Sequence, residues 1–131
     1  MLFRSGADNE TVEILKNVSN MAQLMRNCDL AVTAAGTMLT ECAASTLPVI
    51  YYQVADNQKY NVEFWQKTGG MVFAGDVSGS EADRIQTLNN ITDQIQVLIE
   101  DSGRLGTMKR MLTGLTDGRG AVRIAKALLT K

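Results

Sequence analysis

The sequence predicts an α/β fold in which a parallel sheet of about four strands is covered by helices and followed by a helical C-terminus. Three observations carry this reading. Short apolar runs rich in β-branched residues alternate with segments of helical period as far as Ala74, and beyond it only helical period continues. Strands alternating with helices imply right-handed βαβ crossovers, and therefore parallel strands buried on both faces. One proline and no low-complexity linker interrupt the 131 residues, so a single domain spanning 1–131 is expected.

Taken in order, Thr11 to Leu15 alternates apolar and polar positions and reads as the first strand. Asn20 to Cys28 is a helix, with Met21, Leu24, Met25 and Cys28 on its buried face. Leu30 to Ala34 is the second strand, apolar on both faces, and a helix runs from Gly36 through Leu39, Cys42 and Ala43. Pro48 opens the third strand, Val49 to Val54, where the first position need not donate to the ladder. A helix over Asn57 to Thr68 turns Tyr60, Phe64 and Trp65 inward and stops at Gly69-Gly70. Met71 to Ala74 is the fourth strand. Ile85, Leu88, Ile91, Ile95, Leu98 and Ile99 then form a long helical stripe, and two more helices are expected over Leu105 to Thr113 and Ala121 to Leu129. Four strands make a thin sheet for a doubly wound nucleotide fold, as in a piece of a larger protein.

Composition removes several classes of function. With 13 Lys and Arg scattered along the chain and a net charge of -1, there is no basic stripe to displace counterions from nucleic acid. The absence of histidine excludes a Ser-His-Asp triad, a Cys-His dyad and imidazole metal sites, so neither metal nor cofactor is expected. Cys28 and Cys42 lie in apolar surroundings, without a CxxC pair, and read as inert buried thiols of a reducing compartment. No apolar run reaches the roughly 20 residues that span a bilayer, and Met1 to Gly6 is too short for a signal peptide. A cytoplasmic protein is expected.

Ligands of open α/β sheets bind beyond the carboxyl ends of the strands, and three segments fall there. Ala34-Ala35-Gly36-Thr37 joins the second strand to its helix. Its small residues let a diphosphate approach the backbone, Gly36 permits an unusual dihedral, and Thr37 adds a hydroxyl; tight packing alone would also explain them. Glu41 follows Thr37 by one helical turn, placing the two side chains roughly 5–6 Å apart. It either accepts hydrogen bonds from a ribose diol or merely complements the helix dipole. Asp56, Asn57, Gln58 and Asn61 supply planar polar groups suited to sugar hydroxyls, unless Asp56 is an N-cap and the others are solvated surface. Asn17 to Met21 offers the backbone of Val18 to the edge of a base with Met21 against its ring, unless Ser19 or Asn20 simply caps a helix.

Together these segments carry a resemblance. Asn20-Met21, Leu24-Met25, Asp29-Leu30-Ala31-Val32, Ala34-Ala35-Gly36-Thr37 and Glu41, then Leu47-Pro48 and Ile50, then Asp56-Asn57-Gln58 and Asn61, resemble the C-terminal half of a GT-B nucleotide-sugar enzyme. The pattern is most like the spore-coat polysaccharide SpsG family and its relative PseG, a UDP-sugar hydrolase, and more distantly like MurG. Asp117-Gly118-Arg119-Gly120-Ala121, Arg123 and Ile124 are similar to the SpsG tail, and the likeness runs from about Thr11 to Ile124.

The resemblance implies a Rossmann-like domain that binds a UDP-sugar. Val18 and Met21 would meet uracil, Ala35, Gly36 and Thr37 the diphosphate, Glu41 the ribose, and Asn57 and Gln58 the sugar. Where many relatives carry Gly-Gly or Gly-Ser, Ala35 narrows the approach of the phosphate. The acceptor and the catalytic base would lie on an N-terminal Rossmann domain, in cis or as a separate subunit. The isolated chain is then expected to bind a UDP-sugar weakly or not at all and to be inactive. Transfer or PseG-type hydrolysis would occur only in the completed protein. A different class also fits the residues: a non-catalytic interaction module that forms a homodimer through an exposed sheet edge.

Overall fold

The computed structural model describes residues 1–4 and 12–130. Among them four strands form one sheet in the order β1 (Leu2–Phe3), β2 (Leu30–Ala34), β3 (Val49–Gln53) and β4 (Met71–Asp76). Six helices accompany them: α1 (Met21–Arg26), α2 (Met38–Ala44), α3 (Lys59–Gln66), α4 (Glu81–Glu100), α5 (Ser102–Leu112) and α6 (Gly120–Leu129). The fold is the α/β, Rossmann-like arrangement expected. β2 and β3 pair in parallel from Ala31↔Val49 to Ala34↔Tyr52, and β3 and β4 from Val49↔Met71 to Gln53↔Asp76.

The outermost strand departs from the sequence reading. Val12 to Leu15 lies in no strand and is exposed, while Thr11 falls outside the described residues. The β2 edge is taken instead by Leu2–Phe3, which pairs antiparallel through Leu2↔Ala31 and Phe3↔Leu30, with Val32 N–H donating to the Met1 carbonyl at 2.7 Å. Apolar alternation marks a segment able to enter a sheet, but the edge already occupied by backbone bonds has no second place for it.

The central strands divide the core by the two-residue period of a pleated strand. Val49 and Tyr51 join Met25, Leu39, Cys42, Trp65 and Leu112 on one face, whereas Ile50 joins Leu30, Val32, Ala74, Leu98 and Met108 on the other. Cys28 and Cys42 are free thiols; Cys42 is buried as expected, whereas Cys28 is only half-buried at the margin of the first cluster. Two helices present faces other than those the apolar pattern suggested. In α3 the buried residues are Val62 and Trp65, while Tyr60 and Phe64 are 86% and 57% exposed. In α4, Thr87 and Leu98 are buried and Ile91 and Ile95 half-buried, but Ile85, Leu88 and Ile99 stay exposed. The reason is close packing on β4: Gly75, with φ 138°, admits the Thr87 side chain where a Cβ would stand, and Asn90 Nδ2 donates to the Ala74 carbonyl at 2.9 Å.

α5 passes from one core cluster to the other, with Met108 in the second and Leu112 in the first. Leu112 packs against Gly70, just before β4, and Ser102, Leu105 and Lys109 share a cleft of about 420 Å³ with Leu30 and Pro48, where β2 and β3 begin. The amino ends of the strands are thereby overlaid by α5. A Cβ on Gly70 would fall within the fully buried Leu112 side chain and 3.0 Å from the Met108 carbonyl. Gly70→Ala is therefore expected to cost about 1–3 kcal/mol of stability, read as a lowered denaturation midpoint.

Burial also makes the domain sensitive to alkali. It raises the Cys42 thiol from 9.0 to about 12, with Glu41 adding to the rise, and it raises the Tyr51 hydroxyl from 10.0 to about 12. Both acids hold their protons more tightly when folded, so the unfolded chain ionises first. Stability is expected to be undiminished below pH 9.0 and to fall progressively toward pH 12. Urea midpoints measured across that window test this, and Cys42→Ala should flatten the early part of the fall.

Candidate functional site

The parallel register brings the ends of β2 and β3 together and, with them, two of the three segments that the sequence singles out. Ala35 is fully buried and extends the ladder by one bond, its N–H donating to the Tyr52 carbonyl at 2.8 Å. Gly36 N–H turns back to the Ala34 carbonyl at 2.8 Å. Leu39 N–H then bonds to Gly36 O and Thr40 N–H to Thr37 O, opening α2 with a tight 3-10 turn. The Thr37 side chain makes no capping hydrogen bond to α2 and is exposed. Gly36 does not adopt the left-handed conformation that the sequence reading allowed for it, and its value is space. A Cβ there would meet only Gln58 Nε2, at 3.9 Å.

Asp56–Gln58 forms a 3-10 turn before α3, and Asp56 is not an N-cap. Gln58 is half-buried, and its Oε1 accepts the Val54 N–H at 2.8 Å. Because the partner is a donor, that contact fixes the amide orientation and leaves the NH2 group toward Gly36. Asn61 Nδ2 donates to the Ala35 carbonyl at 3.0 Å, tying α3 to the β2–α2 loop. Ala35, Gly36, Gln58 and Asn61 thus meet, although 26 positions separate Ala35 from Asn61. Asn57 is exposed on the 3-10 turn beside them, and Glu41 is exposed one turn beyond Thr37.

The third segment has a different character. Asn20 caps α1, its side chain accepting the Gln23 N–H at 3.0 Å, which is the plain capping role weighed for it. Val18 and Met21 are half-buried, and Met21 packs against the first core cluster. Neither takes part in the hydrogen bonds that Gln58 makes to Val54 and Asn61 to Ala35.

Sequence reasoning missed a polar group at the same end of the sheet. Gln53 Nε2 donates to Asp76 Oδ2 at 3.2 Å, and the Ser78 N–H and hydroxyl reach Asp76 Oδ1 at 2.8 and 2.5 Å. The Ser78 hydroxyl, then its N–H, hold the Asp76 carboxyl below the usual carboxylate range, with Lys59 adding a smaller pull. The available signal was Asp76-x-Ser78, an Asx-type turn, obscured because Gly75 made the strand seem to end at Ala74. In the closing motif, Gly118 has φ 73°, while Asp117 accepts the Arg119 N–H at 3.0 Å and pairs with Arg123; the motif is the start of α6.

No family model matches the chain. It is 29% identical over 107 residues to the UDP-N-acetylglucosamine--N-acetylmuramyl-(pentapeptide) pyrophosphoryl-undecaprenol N-acetylglucosamine transferase of Carboxydothermus hydrogenoformans. The match covers 77% of this chain and 29% of the transferase, so the chain spans less than a third of that relative's length. This distant similarity supports a glycosyltransferase-like relationship for the domain.

Proposed function

We propose that the chain is the donor domain of a glycosyltransferase-like protein of surface polysaccharide biosynthesis and that it binds a UDP-sugar. The observation that carries the proposal is the meeting of Gly36, Gln58 and Asn61 at the carboxyl end of the sheet. An open backbone, an oriented amide donor and an uncapped helix start converge there, in a chain similar to a transferase named for a UDP-sugar. Ala35, expected to line the diphosphate, is fully buried with both its backbone groups engaged, so the diphosphate lies along Gly36 and Thr37 and takes a hydrogen bond from Gln58 Nε2. Glu41 receives the ribose hydroxyls, Asn57 faces the sugar, and Asn61 holds the loop in position. Uracil lies toward Val18 and Met21. α2 has only seven residues, so local N–H groups matter more than a summed helix dipole.

In this reading the domain acts electrostatically: donors already in position stabilise the charge that grows on departing UDP. The chain supplies no catalytic residue. A catalytic base and an acceptor site belong to an N-terminal Rossmann domain, in cis or as a separate subunit, working in the cytoplasm. Two exposed apolar surfaces are consistent with such a partner. One is the groove of Val32, Tyr52, Leu88, Ile91 and Ile95, and the other is α6, where Val122, Ile124, Leu128 and Leu129 are exposed. Among the described residues no helix is long and apolar enough to cross a membrane.

Titration of the chain with UDP, followed by NMR, tests the proposal through shifts at Gly36, Thr37 and Glu41; a flat response at high UDP would instead favour an interaction module. Glu41→Ala is expected to weaken UDP binding by roughly 1–3 kcal/mol, and unchanged affinity would remove its ribose role. Gln58→Glu keeps an acceptor for the Val54 N–H but turns a negative charge toward Gly36. Its denaturation midpoint should hold while UDP affinity drops by about tenfold or more.

A further inference from the structure

Tyr60 and Phe64 stand one helical turn apart on α3 and are 86% and 57% exposed, although the buried face of the same helix takes Val62 and Trp65. A single exposed aromatic residue is ordinary. Here, however, Asn57, Tyr60, Asn61 and Phe64 stand at positions i, i+3, i+4 and i+7, so they share one side of the 3-10 turn and α3. Asn61 fastens that strip to the Ala35 carbonyl, next to Gly36. The Phe64 ring is held against the buried Trp65 in an edge-to-face contact with centroids 4.9 Å apart. The strip therefore combines a fixed apolar ring, a second ring one turn nearer the candidate site and an exposed amide beside them.

This combination suits one class of ligand. A pyranose has hydroxyls at its rim and a face of C–H groups made slightly positive by neighbouring oxygens. The negative face of an aromatic ring attracts such C–H groups, and a planar amide bonds the rim. Nucleobases also stack on aromatic rings, but a base in this position would displace the sugar from Asn57, which the proposed site assigns to it.

We propose that Tyr60, supported by Phe64, is the platform on which the sugar of the nucleotide-sugar rests, so that this strip selects the glycosyl group while the β2–α2 loop holds the diphosphate. The inference rests on the UDP-sugar reading given above. Tyr60 is a specificity-determining residue here and takes no part in bond making.

The experiment compares the affinities of UDP and UDP-N-acetylglucosamine for the full chain by NMR titration, in the wild type and in Tyr60→Phe, Tyr60→Leu and Tyr60→Ala. At 86% exposure, none of these substitutions disturbs the core. The UDP-sugar is expected to bind more tightly than UDP to the wild type. Tyr60→Ala and Tyr60→Leu should lose about three- to tenfold in affinity for the UDP-sugar with UDP affinity unchanged, and Tyr60→Phe should retain both. If UDP binds but no variant changes the ratio between the two ligands, or if both affinities fall together, the platform is overturned while the nucleotide site stands. If neither ligand binds the wild type, the nucleotide reading fails and the platform fails with it.

Discussion

Parallel strands cannot be joined by a tight turn, so the pairing of β2 with β3 obliges the intervening chain to leave the sheet, cross as α2 and return to the starting end. The pairing of β3 with β4 imposes the same path on α3. The junctions that follow β2, β3 and β4 are thereby gathered at one end of the sheet, and the Ala35–Thr37 and Asp56–Asn61 segments become neighbours without being close in sequence. At the opposite end, the packing of Leu112 against Gly70 and of Met108 in the second cluster keeps α5 over the strand starts. A one-residue slip of β3 would exchange Ile50 with Tyr51 between the two cores and separate Ala35 N–H from Tyr52 O. Core composition and site geometry are therefore fixed by the same register.

Within that frame, side-chain amides tie the junction segments together. Gln58 uses its oxygen to close the turn after β3, which directs its NH2 group at the loop. Asn61 uses its NH2 group to hold the Ala35 carbonyl. Because Ala35 is also held by Tyr52 O, the residue before Gly36 is pinned from two elements. The proposed diphosphate site would therefore lose little entropy on binding, since its groups are already ordered by folding.

Much of this was legible in the sequence where burial on both faces leaves a plain signal. β2, β3 and β4 lie within two residues of the apolar runs that announced them, and α4, α5 and α6 follow the helical stripes. The failures share a cause: apolarity shows that a residue can be buried, not what is available to bury it. Leu2–Phe3 rather than Val12 to Leu15 occupies the edge because backbone partners were already in place. In α4 the close approach at Gly75 turns polar Thr87 and Asn90 inward and leaves Ile85 and Leu88 outside. The small residues and amides of the site were recognisable from composition. Their orientation was not, because the Gln58–Val54 and Asn61–Ala35 bonds depend on tertiary register. Nothing in the local sequence near Val18 and Met21 could distinguish a capped helix start from a base-binding edge.

The electrostatics of the chain separate holding charge from moving protons. A group that relays protons near neutrality needs a pKa close to neutrality, and histidine, the side chain that has one unperturbed, does not occur in the sequence. The perturbed groups are driven the other way. Burial lifts Cys42 and Tyr51 to about 12, and the Ser78 hydroxyl and N–H keep Asp76 ionised into acid. Each keeps one protonation state across the neutral range. What the junction end of the sheet offers instead is a fixed arrangement of the oriented Gln58 amide with carboxylates at its margins. Such a fixed arrangement is what the proposed binding of a charged UDP leaving group calls for.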